Sequence, residues 1–297
     1  LGNNSTYSIH HSSHNGYHIS RINIFINCFN KDWNNFNWSS TYTFSTNMNR
    51  IESLAENVLN AATGEYFSVD LLDMNGLGLA HFLLMEGGTL GDLYSLADYK
   101  YDSNGMIVVN EDGTISPQTI TDAKNYVKLG SVLPKANMSW RNDFRIGNFN
   151  LGFLITARLG GIVYSSTQAV LDYYGVSEAS AAARDAGGVF INGGDCIDAN
   201  KWFSSVGGSN PLPQEYTYSG TNVRLQEASI GYTIPRSKLG DVCDLSLSLV
   251  GRNLLMIYNK APFDPEAIAT TGNYYQGIDH FMMPSLRNFG FNVRVTF

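Results

Sequence analysis

From residue 289 to its end the chain alternates. Phe289, Phe291, Val293, Val295 and Phe297 take the odd positions, with Gly290, Asn292, Arg294 and Thr296 between them. A strand sends alternate side chains to opposite faces, so one face is apolar and the other polar or small. The pattern recurs upstream. Over 33–46, Phe36, Trp38, Tyr42 and Phe44 alternate with Asn35, Asn37, Ser39, Thr41 and Thr43. Over 133–146, Ala136, Met138, Trp140, Phe144 and Ile146 oppose Lys135, Asn137, Ser139, Arg141 and Asp143. Over 149–159 the odd face holds Phe149, Leu151, Phe153, Ile155, Ala157 and Leu159. The stretch 222–234 starts with Val223 and Leu225 apolar and then changes phase to Ala228, Ile230, Tyr232 and Ile234. That slip predicts a bulge near Gln226 and Glu227. Over 242–258, Leu245, Leu247 and Leu249 oppose Ser246 and Ser248.

These strands span about 11 to 14 residues, against roughly 5 to 6 in soluble domains and 9 to 11 for a tilted membrane crossing. Their connections alternate in length. Those at 145–148 and 235–241 are short, and Gly147 with Asn148 suits a tight hairpin turn. Those at 160–221 and 259–284 are long. Short turns on one side and long loops on the other mark an outer-membrane barrel. The expected fold is therefore all-β: an antiparallel transmembrane β-barrel, here an open portion of about eight to ten strands with long extracellular loops. Elsewhere 51–62 looks partly helical, 90–109 reads as a hairpin inserted in a loop, and 176–186 reads as a short helix. A secreted all-β sandwich, binding glycans or serving a structural role, is the alternative. It would bury Phe289, Phe291, Val293, Val295 and Phe297 against a second sheet, whereas the barrel turns them to lipid.

Composition narrows the choice. Charged residues are 15% of the 297, well under the roughly 25% of soluble domains. No run approaches the roughly 18 to 20 apolar residues of a membrane helix, which a barrel does not need. The net charge is -7 and the 19 Lys and Arg are scattered, which argues against a nucleic-acid partner. Cys28, Cys196 and Cys243 lack metal-binding spacing. Residues 1–32 form an atypical polar segment, with His10, His11, His14 and His18 among Asn and Ser, and 33–297 are expected to form the barrel portion. Residues 1–30 lack the basic start and apolar core of a leader, so the chain is expected to be the later part of a longer protein.

Chemistry is sparse. No nucleophile elbow, zinc-protease motif or phosphate-binding loop occurs, and His81 stands where Gly76 and Gly78 would need a third glycine. No catalytic residue, cofactor or metal is expected. Asn110-Glu111-Asp112-Gly113 reads as a plain turn. Asp264 and Glu266 flank Pro265; paired carboxylates can do acid–base work or hold Ca²⁺, but a rigid turn accounts for them as well. Trp202, Tyr216, Tyr218, Tyr274 and Tyr275 fall in the two long connections. Aromatics there can bind a substrate or partner, and a membrane-interface belt explains the same residues. Arg141, Asp143, Arg158, Arg224, Arg252 and Arg294 lie on or near expected lumen faces, where they line a path or pair with one another.

Several short motifs occur together. Gly231-Tyr232-Thr233-Ile234-Pro235, Gly251-Arg252-Asn253-Leu254-Leu255, Phe263-Asp264-Pro265-Glu266 and the strand after Pro284 follow in order. Upstream lie the Asn47-Met48-Asn49 turn, Glu86-Gly87-Gly88-Thr89-Leu90-Gly91, and Gly130 to Pro134-Lys135. Over about residues 33 to 297 this series resembles the barrel of the SusC-like, RagA-like TonB-dependent transporters. The resemblance implies an outer-membrane barrel of about 22 strands with a plug, in a Gram-negative bacterium. It implies import of a glycan or peptide oligomer, a SusD-like surface lipoprotein as partner, and energy from TonB. TonB contact is expected through a segment outside these 297 residues, as are the plug and more than half of the strands. Phe297 resembles the terminal aromatic by which such barrels are recognised for insertion.

Overall fold

A computed structural model describes residues 5–14, 17–33, 35–270 and 275–297, with side chains from residue 18 onward except 27–33. Eight strands make one sheet: β1 (Ser5–His14), β2 (Tyr17–Trp33), β3 (Phe36–Ile51), β4 (Ala136–Ile146), β5 (Phe149–Leu159), β6 (Asn222–Ile234), β7 (Asp244–Asn259) and β8 (Asn288–Thr296). Spatial order follows chain order and every pairing is antiparallel. This is an open stretch of barrel wall, at the lower end of the expected strand number.

Register shows why the alternation persists across strands. Phe44 opposes Met138, which opposes Ala157, which opposes Val223. Nearer the short turns, Leu151 opposes Ile230, which opposes Leu249, which opposes Phe291. The apolar set of each strand thus meets that of its neighbour, and a slip of one residue would turn it to the other face. The expected bulge falls at Gln226: Leu225 and Glu227 are paired to both neighbouring strands, while Gln226 is skipped. Gly147, with φ of 57°, makes the two-residue link between β4 and β5; a side chain there would be strained in the left-handed region.

Two expectations fail locally. The polar stretch 1–32 contains β1 and most of β2, and β2 pairs along β3 from Tyr17↔Ile51 to Trp33↔Phe36. Ile22, Ile24 and Ile26 supply a period of two there, obscured in the sequence by Phe25 and by a second bulge between Asn27 and Phe29. The helix expected over 51–62 is a hairpin, Ala55–Leu59 with Tyr66–Val69. Asn57 at φ of 51° is incompatible with a helix, and the Asn60 side chain accepts the Ala62 N–H at 2.9 Å to form the turn.

The long connections 52–135, 160–221 and 260–287 all leave the same end of the sheet and assemble into a cap. Its four-stranded sheet places Val127–Ser131, Asp92–Ser95, Ala80–Met85 and Leu71–Leu77 side by side. The hairpin expected over 90–109 is absorbed: Asp92–Ser95 joins this sheet, and Ala97–Asp98 pairs with Gln118–Thr119. Helices α1 (Ser166–Tyr173), α2 (Glu178–Asp185) and α3 (Ala199–Val206) are each capped by a side chain, from Ser165, Ser177 and Asp198. The expected 176–186 helix is α2. The hydrophobic core lies in this cap, around Phe82, Leu93, Tyr164, Trp202, Leu212 and Ile278.

Candidate functional site

The eight-stranded sheet has two unlike faces. Its apolar face carries Leu249, Phe289, Phe291, Val293 and Val295, all exposed; Phe291 is 64% accessible. Among the described residues no second sheet packs on β8, so the sandwich alternative lacks its required layer. An apolar band is thus left open across successive strands. No helix among the described residues is long and apolar enough to cross a membrane.

The opposite face is polar, and its charges pair. Arg141 Nε donates to Asp143 Oδ2 at 2.8 Å, and its Nη1 lies 3.7 Å from Glu227 Oε1. Glu227 also accepts from Arg252 Nε at 2.9 Å. Arg158 Nη2 donates to the Val132 carbonyl at 3.0 Å. Arg294 opposes Ser246 on the same polar face.

Asp264 and Glu266 are brought to this wall. Arg224 is buried on β6; its Nη2 reaches Asp264 Oδ1 at 2.8 Å and Glu266 Oε2 at 3.4 Å. Asp264 also accepts from the Glu266 N–H at 3.0 Å and from the Ser285 hydroxyl. Burial opposes the charge on Asp264, but the hydrogen bonds from Arg224, Ser285 and Glu266 outweigh it and hold its carboxyl below the ordinary range. The Phe263–Glu266 motif is therefore a clamp that fastens the last long loop to the wall. Among the described residues no three His, Cys, Asp or Glu side chains come together as metal ligands.

The five aromatics singled out from the sequence separate. Trp202 is 6% and Tyr216 1% accessible, so both belong to the cap core and offer a ligand no surface; the reason is α3 and the three-stranded sheet, neither of which sequence alternation reveals. Trp202 stacks on Tyr99 with ring centroids 6.2 Å apart. Tyr218 is half-buried, edge-on to Phe263 at 5.5 Å. Burial first, and the nearby Asp172 carboxylate second, push the hydroxyls of Tyr216 and Tyr218 above their ordinary range. Tyr275 is 44% accessible at φ of 60°. Tyr274 lies outside the described residues.

A feature not read from the sequence lies where β3 and β4 part. Their pairing stops at Ser45↔Asn137, while β3 continues along β2 to Ile51. Three of the short motifs converge on this split. Ile51 exchanges backbone hydrogen bonds with Gly87 and Gly88, the Asn49 side chain accepts the Leu90 N–H at 2.8 Å, and Thr46 donates to the Lys135 carbonyl at 2.6 Å. The wedge between the strands holds a cavity of about 640 Å³ lined by Asn47, Asn49, Leu133, Pro134, Lys135 and Ile162, among others. A second of about 270 Å³ shares Asn47, Asn49, Leu133 and Pro134 and adds Arg21. Asn-x-Asn before a loop and Gly-x-x-x-Pro-Lys before a strand were the signals for it, but their meeting depends on the 82 residues between Pro134 and Ile51 folding back.

No protein-family model matches the chain. It is 24% identical to TonB-dependent receptor P3 of Formosa agariphila over 95% of this chain and 28% of that protein. It is 24% identical to TonB-dependent receptor P26 of the same organism over 92% of this chain and 28% of that protein. The chain thus spans less than a third of the length of these curated relatives. Among solved structures it resembles the RagAB peptide transporter with a TM-score of 0.61 at 15% identity, covering 95% of this chain and 29% of that one. The RagAB peptide importer in its open-open state gives 0.64 at 14% identity, over 95% and 29%.

Proposed function

We propose a function from one premise: this chain is a stretch of the β-barrel of a SusC-like TonB-dependent transporter. The whole protein, of which it is part, imports an oligomeric nutrient, a glycan or a peptide, across the outer membrane of a Gram-negative bacterium. It works with a SusD-like surface lipoprotein, and TonB supplies the energy through a segment beyond these residues. The chain contributes lipid-facing wall, lumen lining and extracellular cap, and carries out no catalysis.

The observation that supports this most is the pairing of two faces on one sheet. The apolar band meets lipid, and the opposite face offers the Arg141–Asp143–Glu227–Arg252 network to a water-filled lumen. Of the five aromatics, the exposed Tyr275 is the described residue best placed to meet substrate or lipoprotein.

The test is uptake. Cells carrying the full-length gene should accumulate a labelled peptide or oligosaccharide pool, and deletion should abolish accumulation of one class. The reading fails if the protein fractionates away from outer membranes, or if deletion leaves the uptake of both pools unchanged.

A further inference from the structure

We propose that the notch between β3 and β4 binds a peptide segment, with an apolar side chain seated against Leu133, Pro134 and Ile162 and a carboxylate held by Arg21. This deepens the import reading and rests on it. Four observations carry it. The two cavities share Thr46, Asn47, Asn49, Leu133 and Pro134 and so adjoin, one reaching the apolar Ile162 and the other Arg21. Together they have the volume of an ordinary small-ligand pocket. The charged side chains in their linings are Arg21 and Lys135, both cationic, in a chain whose net charge is -7. No carboxylate in either lining competes for them, so the site favours an anionic group.

The neutral part of the lining suits amides. Asn49 has its carbonyl oxygen engaged by the Leu90 N–H, which leaves its NH₂ to donate to a ligand carbonyl. Asn47 stands two residues away on the same face of β3. Stacking on an aromatic ring is a common way to hold a sugar face, and no Phe, Tyr or Trp lines either cavity. The apolar patch instead matches an aliphatic side chain. The walls are set before the ligand arrives: Thr46 ties 135 to β3, and Arg158 ties 132 to β5. A preorganised site loses less entropy on binding.

The experiment uses the full-length transporter in detergent micelles and three probes by fluorescence anisotropy. They are a labelled leucine-rich tetrapeptide with a free C-terminal carboxylate, its C-terminally amidated twin, and a labelled uronate tetrasaccharide. The free acid should bind about tenfold more tightly than the amide, the size of one charge-assisted contact. Arg21→Gln should remove that difference while leaving the amidated probe unchanged. The amidated probe tests the carboxylate without any variant. Equal binding of acid and amide, a difference that survives Arg21→Gln, or tighter binding of the tetrasaccharide overturns the proposal. Uptake in cells separates the two readings. Peptide import indifferent to amidation and to Arg21→Gln overturns the notch and leaves import standing, whereas no uptake of peptide or saccharide overturns import itself.

Discussion

Replacing Asp264 by Ala should release the last long loop from the barrel wall. Arg224 is buried and its guanidinium spends two contacts on this carboxylate, at 2.8 and 3.4 Å. Removing one partner of a buried pair costs about 3 to 5 kcal/mol, because the other charge stays buried without compensation. Glu266 remains 3.4 Å from Nη2, but it is partly exposed, so the lower end applies. A loss of about 3 kcal/mol raises the opening equilibrium of the loop by roughly a hundredfold. Limited proteolysis in micelles reads that equilibrium directly, as the initial cleavage rate within 260–287. The double variant Arg224→Leu, Asp264→Leu should recover most of the protection, since an apolar pair of similar volume removes the stranded charge. Acid should mimic the single variant. The folded carboxyl lies below its ordinary value, so its contribution is complete above the unfolded pKa of about 3.9 and is lost as pH falls through the lower folded value. A cleavage rate within 260–287 that stays unchanged in Asp264→Ala, or a double variant cleaved as fast as the single, would refute the clamp.

Four further outcomes are expected. Leu249→Arg on the lipid face should cost about 2 to 4 kcal/mol in urea unfolding from micelles, while Ser248→Arg on the lumen face costs under about 1; equal costs would contradict the assignment of faces. Trp202→Ala should destabilise the cap by about 3 to 5 kcal/mol in thermal unfolding without a specific loss of ligand affinity, and Tyr275→Ala should do the reverse. Gly277→Ala places a Cβ 2.6 Å from Val132 at a φ of 69°, so it should destabilise by roughly 1 to 3 kcal/mol by overpacking and backbone strain, measured as a lower cap midpoint. Burial raises the Asp172 carboxyl despite hydrogen bonds from Ser177 and Gln168; cap stability should therefore fall as pH rises from the ordinary carboxylate range to the raised value, and Asp172→Asn should flatten that slope.

The wall from β3 to β8 was legible, while β1, β2 and the cap were not. Alternation is a property of neighbouring positions, so Phe149–Leu159 and Asn222–Ile234 could be bounded from the chain, and even the bulge at Gln226 showed as a phase slip. The cap fails for the opposite reason. Its elements are short, and its strands pair across long separations, as Tyr164 with Ile278 does. Trp202 and Tyr216 looked like loop aromatics because nothing local distinguishes a ring on a surface loop from one buried under another loop.

The sequence by itself determined the wall from β3 to β8, because alternate side chains of a strand point to opposite faces and unlike faces impose a period of two. It also determined the family-like motifs and the absence of a basic stripe. Only the tertiary structure decided what those motifs do together. It joined Arg224 to Asp264 across 40 residues and opened the wedge between β3 and β4. It also placed the apolar core in the cap, not in the wall. Burial and ion pairing are three-dimensional quantities, settled by which distant segments meet, and no period along one strand encodes them.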